Sequence, residues 1–329
     1  MLSHEELRRK ATLSAEDFEL LAHLLEEEGI ETGAPSTITP RKSSDEVELS
    51  FAQRRLWFID QLEPGKPTYN IPFAVRLNGR LDVPALERTI TEIVRRHEVL
   101  RTTFITAPDG TPRQRIAAPG PYELTVEDLS GMPASDREPA ALRIATLEAQ
   151  APFDLKVGPL LRVKLVRLGD DDHIVLVTLH HTISDGWSTG IFMGEVASLY
   201  EAYRNGRQSS LPDLQVQYAD FALWQREWLS EEVLEEQLSY WRTQLGTEQA
   251  ALDLPTDRPR PAVQTFRGAR QKFQLPVGVR EQLLRLGREE GATLFMTLLA
   301  AWQVLLHRYT GVASVPVGTP IAGRTRAEV

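Results

Sequence analysis

The chain of 329 residues contains no cysteine, and this absence excludes several kinds of chemistry at once. A disulfide scaffold, a thiolate nucleophile and any zinc or iron–sulfur site with cysteine ligands are ruled out. Disulfides persist in oxidising compartments, so a chain without cysteine fits a reducing one. The range of possible nucleophiles and metal ligands is correspondingly small.

Long apolar runs and runs of basic residues are also missing. The most apolar window, residues 294–306, is interrupted by Thr297 and Gln303 and is too short to span a bilayer. Acidic residues follow the first methionine almost at once, unlike a signal peptide. The net charge is −9 and no basic patch is present, so nucleic acid is not an expected partner. These features predict a cytoplasmic protein that binds neither membrane nor nucleic acid.

What remains is the composition of a folded chain, with 42% hydrophobic and 25% charged residues. This is enough apolar material for one large or two medium domains. Residues 1–34 carry nine acidic and three basic side chains, and Ser14 and Gly29 bound an amphipathic pattern within them. They predict a separate acidic helix, a possible docking element. Residues 35–46, rich in proline, serine and threonine, predict a linker.

From residue 47 onward, helical and strand patterns alternate. Ser50 and Gln53 form a capping box ahead of an apolar helix, and an Asp109-Gly110 turn separates two strand-like runs. The pattern predicts further strands at 71–77, 160–167, 173–179, 269–275 and 312–317, and further helices at 86–94, 135–149, 186–205, 218–229, 231–245, 279–290 and 294–309. Because hairpins imply antiparallel or mixed pairing, the predicted fold class is α/β with a mixed sheet, close to α+β.

The densest chemical signal is the run LHHTISDGWS at residues 179–188, where an apolar strand ends and a helix begins. Such junctions commonly display reactive side chains. Successive strand residues face opposite sides, so we expect one of His180 and His181 to be functional and the other structural. Asp185 can lock the loop by pairing with an arginine, and Gly186 permits a positive φ or a close approach by substrate.

Taken alone, two histidines in a strand are more often packed or surface residues than catalytic ones. A metal site is a still weaker hypothesis, because no third potential ligand lies at the sequence spacing that a metal site requires.

Five ordered segments resemble the condensation domains of nonribosomal peptide synthetases, which belong with the chloramphenicol-acetyltransferase-like acyltransferases. HHxxxDG alone is moderately specific, whereas five matches in the family's order are highly so. The resemblance runs from about residue 47 to the last residue. The segments are SFAQRRLWF at 50–58, RHEVLRTTF at 96–104, HHTISDG at 180–186, YADFALW at 218–224 and VGTPIAGR at 317–324.

The resemblance implies a V of two acyltransferase-like lobes, with a tunnel that two carrier-protein arms enter from opposite sides. The first lobe is expected at 47–217 and a partial second lobe at 218–329. The second lobe is expected to be incomplete, because the family's later motifs have no counterpart here. Whether the end at Val329 is natural stays open.

The implied reaction is amide-bond formation, in which the α-amine of a carrier-bound acceptor attacks the thioester of a carrier-bound donor. With no cysteine and no G-x-S-x-G elbow, a covalent acyl-enzyme has no obvious nucleophile, so direct attack is the simpler route. His181 is the expected catalytic residue, as a positioner and possible proton acceptor. The backbone N–H of Gly186 is expected to meet the developing oxyanion, unless the glycine only permits the turn.

In this family the aspartate of the motif is structural and pairs with an arginine, and motif position points to Arg96. The competing reading of Arg96 is a solvated charge at a helix end. His180 is also expected to be structural. Further candidates for the tunnel or the motifs are Trp187, Ser188, Tyr218, Asp220, Trp224, Gly318 and Arg324, although aromatic residues at helical spacing are more often core.

The residues of the motifs are most similar to those of domains that join an L-configured donor to an L-configured acceptor. The alternative is a starter condensation domain. The resemblance implies no cofactor bound by the domain itself, since its substrates arrive on the 4'-phosphopantetheine of donor and acceptor peptidyl carrier proteins. Other implied partners are an upstream synthetase polypeptide, through residues 1–34, and a downstream adenylation domain, in antibiotic and other secondary metabolism. The alternatives are a non-catalytic carrier-docking module and a CoA-dependent acyltransferase of the same superfamily.

Overall fold

The structure is a computed structural model, and it describes residues 37–42, 46–229, 231–246, 252–259, 261–263, 268–269, 271–324, 326 and 328. The acidic helix predicted within residues 1–34 lies outside the described residues. Contacts divide the chain into two compact units, Met1–Ser230 with Gly323–Val329, and Glu231–Ala322.

Seven strands and eight α-helices are found in the described part of the chain. The strands are β1 (Val47–Glu48), β2 (Asn70–Asn78), β3 (Thr102–Thr106), β4 (Pro112–Ile116), β5 (Thr125–Asp128), β6 (Leu161–Gly169) and β7 (Asp172–His180). The α-helices are α1 (Phe51–Leu62), α2 (Val83–Arg96), α3 (Ala134–Gln150), α4 (Gly186–Arg204), α5 (Tyr218–Trp228), α6 (Glu231–Leu245), α7 (Val277–Glu289) and α8 (Leu294–Thr310). Short 3₁₀ turns cover Pro67–Tyr69 and Glu98–Arg101.

The larger sheet has the strand order β2-β7-β6-β5 and is mixed, as the sequence predicts. Strand β7 runs antiparallel to both β2 and β6, whereas β5 runs parallel to β6. The predicted hairpin is confirmed, with Val163 opposite Val177 and the strands closing where Gly169 faces Asp172. Since β7 lies inside the sheet, its last residue, His180, is held on both sides by neighbouring backbone.

Helices cover both faces of this sheet. On one face, α2 and α4 pack a large apolar core against β6 and β7. Helix α2 begins where the Asp82 side chain accepts a hydrogen bond from the Ala85 N–H, and it buries Leu86, Ile90 and Ile93 at helical spacing. On the other face, α3 buries a smaller core against the same strands. This double cover explains why most of β7 is apolar and buried.

The smaller sheet has the order β1-β4-β3 and is antiparallel. The predicted turn between β3 and β4 is confirmed. The Asp109 carboxylate accepts from the Thr111 N–H and hydroxyl, and Gly110 has a φ of +84°, which favours glycine. Inside this sheet, Gln114 on β4 is buried and faces α1.

The boundary between the two units falls after residue 230, not after 217 as the sequence predicted. Helix α5 belongs to the first unit because its side chains bond to that unit's backbone and side chains. The Tyr218 hydroxyl lies 3.0 Å from the Ser50 hydroxyl, and Arg226 Nε donates to the Leu49 carbonyl at 2.7 Å. Arg324 also belongs to the first unit.

Part of the predicted linker packs on the first unit instead of forming a free tether. Ile38 is only 3% exposed. The Arg41 guanidinium forms ion pairs with Glu98 at 2.6 Å and Asp220 at 2.9 Å. The described residues of the linker form a loop, as its proline, serine and threonine predict. The side chains of Ile38 and Arg41 nevertheless pack on the first unit.

The second unit contains α6, α7 and α8, all near their predicted positions. The strands predicted at 269–275 and 312–317 are wrong: the described residues of both stretches have no regular structure. A strand requires a neighbour with which to share its backbone hydrogen bonds, and the described part of this unit contains no other strand.

Candidate active site

The two histidines lie where β7 ends and α4 begins, five residues later. Asp185 is the N-cap of α4: its Oδ1 accepts hydrogen bonds from the Ser188 N–H at 2.8 Å and the Ser188 hydroxyl at 2.6 Å. Such a cap satisfies one of the N–H groups that a helix leaves unpaired at its first turn. The junction is therefore fixed at both ends, by the sheet and by the helix cap.

His180 lies inside the first unit, and its ring packs edge-on against Phe153 and Tyr69. Its Nδ1 accepts the Thr182 N–H at 3.2 Å and lies 2.9 Å from the Thr182 hydroxyl. A backbone N–H can only donate, so Nδ1 carries no proton and the neutral ring is protonated at Nε2. Burial, with a smaller contribution from the charge of His181, lowers the pKa of His180 to about 4.

His181 has the opposite environment. Its backbone N–H donates to the Tyr69 carbonyl at 2.8 Å, and its side chain is exposed. Among the described residues, no hydrogen-bond or ion-pair partner meets the imidazole. One ring is buried and the other is exposed, in keeping with strand alternation, and the imidazole at position 181 is the one that an external group can reach.

Asp185 pairs with Arg324, since Arg324 Nη2 lies 3.5 Å from Asp185 Oδ2 and 3.3 Å from the Ser188 hydroxyl. Burial alone would raise the pKa of Asp185, but hydrogen bonds from Ser188 and the charge of Arg324 outweigh it and hold this pKa below its usual range. The carboxylate therefore stays ionised, and it links the motif loop to a segment far along the chain.

The expected pair between Asp185 and Arg96 is wrong. Arg96 donates to both oxygens of Glu195, at 3.2 and 3.4 Å, and to the Pro212 carbonyl at 2.9 Å. The end of α2 faces the middle of α4, where Glu195 lies, and not its first turn. The alternative of a solvated charge is wrong too, because Arg96 is only 6% exposed.

Gly186 begins α4, and its φ is not positive, so the backbone conformation does not explain the glycine. A Cβ built on it would meet nothing within 4 Å. The N–H groups of Ser188 and Thr189 are used by Asp185, but those of Gly186 and Trp187 have no partner among the described residues. The first turn of α4 therefore has two N–H donors, those of Gly186 and Trp187, without a described partner.

A family model, described as the condensation domain, matches residues 43–329. The chain belongs to the condensation-domain family. It is 50% identical over 310 residues to one of the proteins that make up the linear gramicidin synthase of Brevibacillus parabrevis. That alignment covers 94% of this chain and 4% of the relative, so the chain spans a small part of the synthetase.

Solved structures agree with this family and show its two-lobed, chloramphenicol-acetyltransferase-like fold. The X-domain from teicoplanin biosynthesis, in its complex with OxyB, has a TM-score of 0.73 and 30% identity, covering 84% of this chain and 60% of that one. The first condensation domain of the CDA synthetase has a TM-score of 0.66 and 25% identity, covering 83% and 64%. This chain thus spans about three fifths of the length of these domains.

Several other motif residues of this condensation domain are engaged in packing. Asp220 is buried and pairs with Arg41. Trp224 is also buried and stacks on Trp228 with ring centroids 5.5 Å apart. The Tyr218 hydroxyl contacts Ser50, as described above, and burial raises its pKa. These contacts favour the reading of the YADFALW segment as core.

Two further candidates differ from these. Trp187 is 58% exposed on the first turn of α4, close to Gly186 in sequence and space. Gly318 lies in an irregular, exposed stretch of the second unit. Of these two residues, Trp187 lies next to the motif loop in the first unit, whereas Gly318 lies in the second unit.

Sequence reasoning missed Glu195, the partner of Arg96. Hydrogen bonds from His97 and Arg96 outweigh the effect of burial and lower the pKa of Glu195. The signal was present: Phe192, Glu195 and Leu199 fall on one buried face of α4, where a single carboxylate demands a cationic partner.

Neither a metal site nor a membrane span emerges from the described residues. No group of three or more histidine, aspartate or glutamate side chains is arranged there to hold a metal ion. Nor does any helix in the described ranges combine the length and apolar character needed to cross a bilayer.

Proposed function

We propose that this condensation domain joins two carrier-bound substrates through an amide bond, with His181 as the residue that meets the acceptor amine. The observation that carries the proposal is the exposed imidazole of His181, without a described partner, at the junction that leads into the first turn of α4, where the Gly186 N–H also has no described partner. The buried neighbour, His180, is instead occupied by Thr182.

The proposed reaction needs no covalent enzyme intermediate. The nitrogen of the acceptor α-amine forms a bond to the carbonyl carbon of the donor thioester. The C–S bond breaks, the thiolate stays on the donor carrier's pantetheine, and one amine proton passes to the His181 imidazole and then to solvent. A model α-amine has a pKa of about 7.7–8.0, so at neutral pH a large part of it must first lose a proton.

Orientation contributes more to this reaction than proton transfer does. Holding two reactants in a reactive geometry lowers the activation free energy by about 7–11 kcal/mol. General-base assistance typically raises the rate about 10²–10⁴-fold, which corresponds to about 3–5 kcal/mol. We therefore assign His181 chiefly to positioning the amine. The Gly186 N–H would stabilise the oxyanion of the tetrahedral state, an interaction worth roughly 2.7–4 kcal/mol where a comparable donor has been removed.

The proposed partners are the donor and acceptor peptidyl carrier proteins, which present substrates on 4'-phosphopantetheine. The residues of the motifs support an L-configured donor and an L-configured acceptor. The acidic charge of residues 1–34 supports their contact with an upstream synthetase polypeptide, and a downstream adenylation domain would load the acceptor carrier.

The experiment combines the chain with separately loaded donor and acceptor carriers and follows dipeptidyl carrier by mass spectrometry. We expect dipeptide from L-aminoacyl donors and at least a 100-fold slower rate from His181→Ala. Deletion of residues 1–34 should weaken transfer only from a donor carried by the upstream polypeptide. No dipeptide from the unmutated chain across a broad substrate panel would remove the enzymatic proposal.

A carrier-docking module is the second candidate, because the similar X-domain was solved as a complex with another protein, OxyB. In the same experiment it predicts carrier binding without dipeptide. A CoA-dependent acyltransferase predicts instead that acyl-CoA replaces the donor carrier without loss of rate. The exposed His181 favours turnover over docking alone.

A further inference from the structure

We propose that Gln53 is a positioning residue for His181, acting through the carbonyl of Thr182, the next residue in the chain. This inference rests on the proposed function of His181. Gln53 is read from the sequence only as a capping residue of α1, yet its side chain reaches from α1 to the motif loop.

Thr182, the residue after His181, contacts side chains through its N–H, its hydroxyl and its carbonyl. The N–H and hydroxyl of Thr182 meet Nδ1 of His180, and the Thr182 carbonyl accepts a hydrogen bond from Gln53 Nε2 at 3.4 Å. The imidazole of His181 itself has no partner among the described residues. Its position is therefore set by the backbone on either side, at its own N–H, which bonds to Tyr69, and at Thr182 after it.

The orientation of the Gln53 amide has only one solution. Its Oε1 accepts from the Ser50 N–H at 3.0 Å, and its Nε2 donates to Gln114 Oε1 at 3.2 Å as well as to Thr182. Gln114 Nε2 in turn donates to the Glu48 carbonyl at 2.8 Å. A backbone N–H stands at one end of this chain and a backbone carbonyl at the other, so neither amide can be flipped.

This set of Ser50, Gln53, Gln114 and Thr182, the Gln53 cluster, is closed to water. Gln53 and Gln114 are each 1% exposed and Ser50 is 0% exposed. A lost bond there cannot be replaced by solvent, and a buried unpaired polar group is costly. The bond from Gln53 to Thr182 therefore holds the His181 turn against α1 with little freedom.

The test compares three substitutions in the full chain. Gln53→Met keeps the size of the side chain but removes its bonds to Ser50, Gln114 and Thr182. Gln53→Glu keeps the acceptor for Ser50 and turns the donor into a carboxyl group. Gln114→Met is the matched control, because it breaks the bonds of Gln114 to Gln53 and to the Glu48 carbonyl but none to the His181 turn.

Two readouts are measured, dipeptide formation and the ring signals of histidine in ¹⁵N-labelled protein, with His181→Ala assigning the His181 signal. For Gln53→Met we expect kcat to fall about 100-fold, as for a reacting group displaced by about 1 Å, with KM for both carriers nearly unchanged. The His181 ring signal should shift or broaden. Gln114→Met should lower stability comparably but keep the ring signal and kcat.

Gln53→Glu adds a pH signature that a merely structural role would not produce. Ionised, the introduced carboxyl group presents only acceptors to the Thr182 carbonyl and to Gln114. Protonated, it donates one hydrogen bond again. Because burial raises the pKa of such a group, kcat relative to the unmutated chain should recover as the pH falls towards about 6.

The inference is overturned if Gln53→Met leaves the His181 ring signal and kcat unchanged, or if Gln114→Met changes both equally. It is likewise overturned if Gln53→Glu shows no recovery at lower pH. If the unmutated chain forms no dipeptide, the proposed function fails, but the ring signals still decide whether Gln53 positions His181.

Discussion

Two adjacent histidines acquire different properties because one peptide step turns them to opposite sides of β7. His180 enters the core, where burial keeps it neutral, whereas His181 stays exposed. The period of two along a strand predicted this division from the sequence. Alternation alone did not say which ring lies inside, since both faces of β7 are lined by apolar residues; the resemblance to condensation domains pointed to His180.

The pKa of His180 leads to a prediction on stability. A pKa of about 4 in the folded state, against about 6.5 when unfolded, means that the unfolded chain binds the proton more tightly. The free energy of unfolding should therefore fall as the pH drops from about 6.5, losing about 3 kcal/mol near pH 4 through this residue. Urea unfolding at several pH values measures it.

The control is His180→Gln, which does not titrate. Its loss of stability over the same pH range should be smaller by that amount. Equal pH dependence in the two proteins would contradict the buried, neutral His180.

At the scale of elements, α4 connects most of the site, but through two separate electrostatic contacts. The N-cap of α4, Asp185, pairs with Arg324, and Glu195 in its third turn pairs with Arg96. Local signals predicted the helix and its start. They did not predict the partners, because a residue's neighbours along the chain carry no information on which distant arginine packs beside it.

The same reason separates the correct elements from the wrong ones. The Ser50–Gln53 capping box, the Asp109-Gly110 turn and the hairpin of β6 and β7 depend on residues close in sequence, and all are confirmed. The strands at 269–275 and 312–317 depended on a distant pairing partner, and no described strand provides one. Propensity alone cannot satisfy a strand's backbone groups.

Double-mutant cycles test the revised pairing at α4. Asp185→Asn keeps the capping oxygen and removes the charge, so combining it with Arg324→Met should show a coupling energy of up to about 1 kcal/mol. Combining it with Arg96→Met should be additive. Arg96→Met alone should cost about 3 kcal/mol, because it leaves the buried Glu195 with His97 as its remaining partner. Additivity with Arg324, or coupling with Arg96, would refute the pairing seen in the structure.

At the scale of the whole molecule, the family and the likeness to solved condensation domains rest on nearly the entire chain. The sequence predicted the family from five ordered motifs, of which the structure shows that YADFALW mainly packs and that HHTISDG carries the exposed His181 on which the proposed site depends. The role of Gln53 could not be predicted, because a glutamine in a capping box is explained locally. Only the fold brings its amide to the loop after His181.

In the proposed reaction, His181 orients the acceptor amine more than it removes its proton. The direct measurement is the single-turnover rate of dipeptide formation by the unmutated chain and by His181→Ala, from about pH 7 to about 9.5, beyond the amine pKa of about 8. We predict that the variant stays about 100-fold slower or more at every pH. A deficit that disappears once the amine is fully deprotonated would contradict the claim.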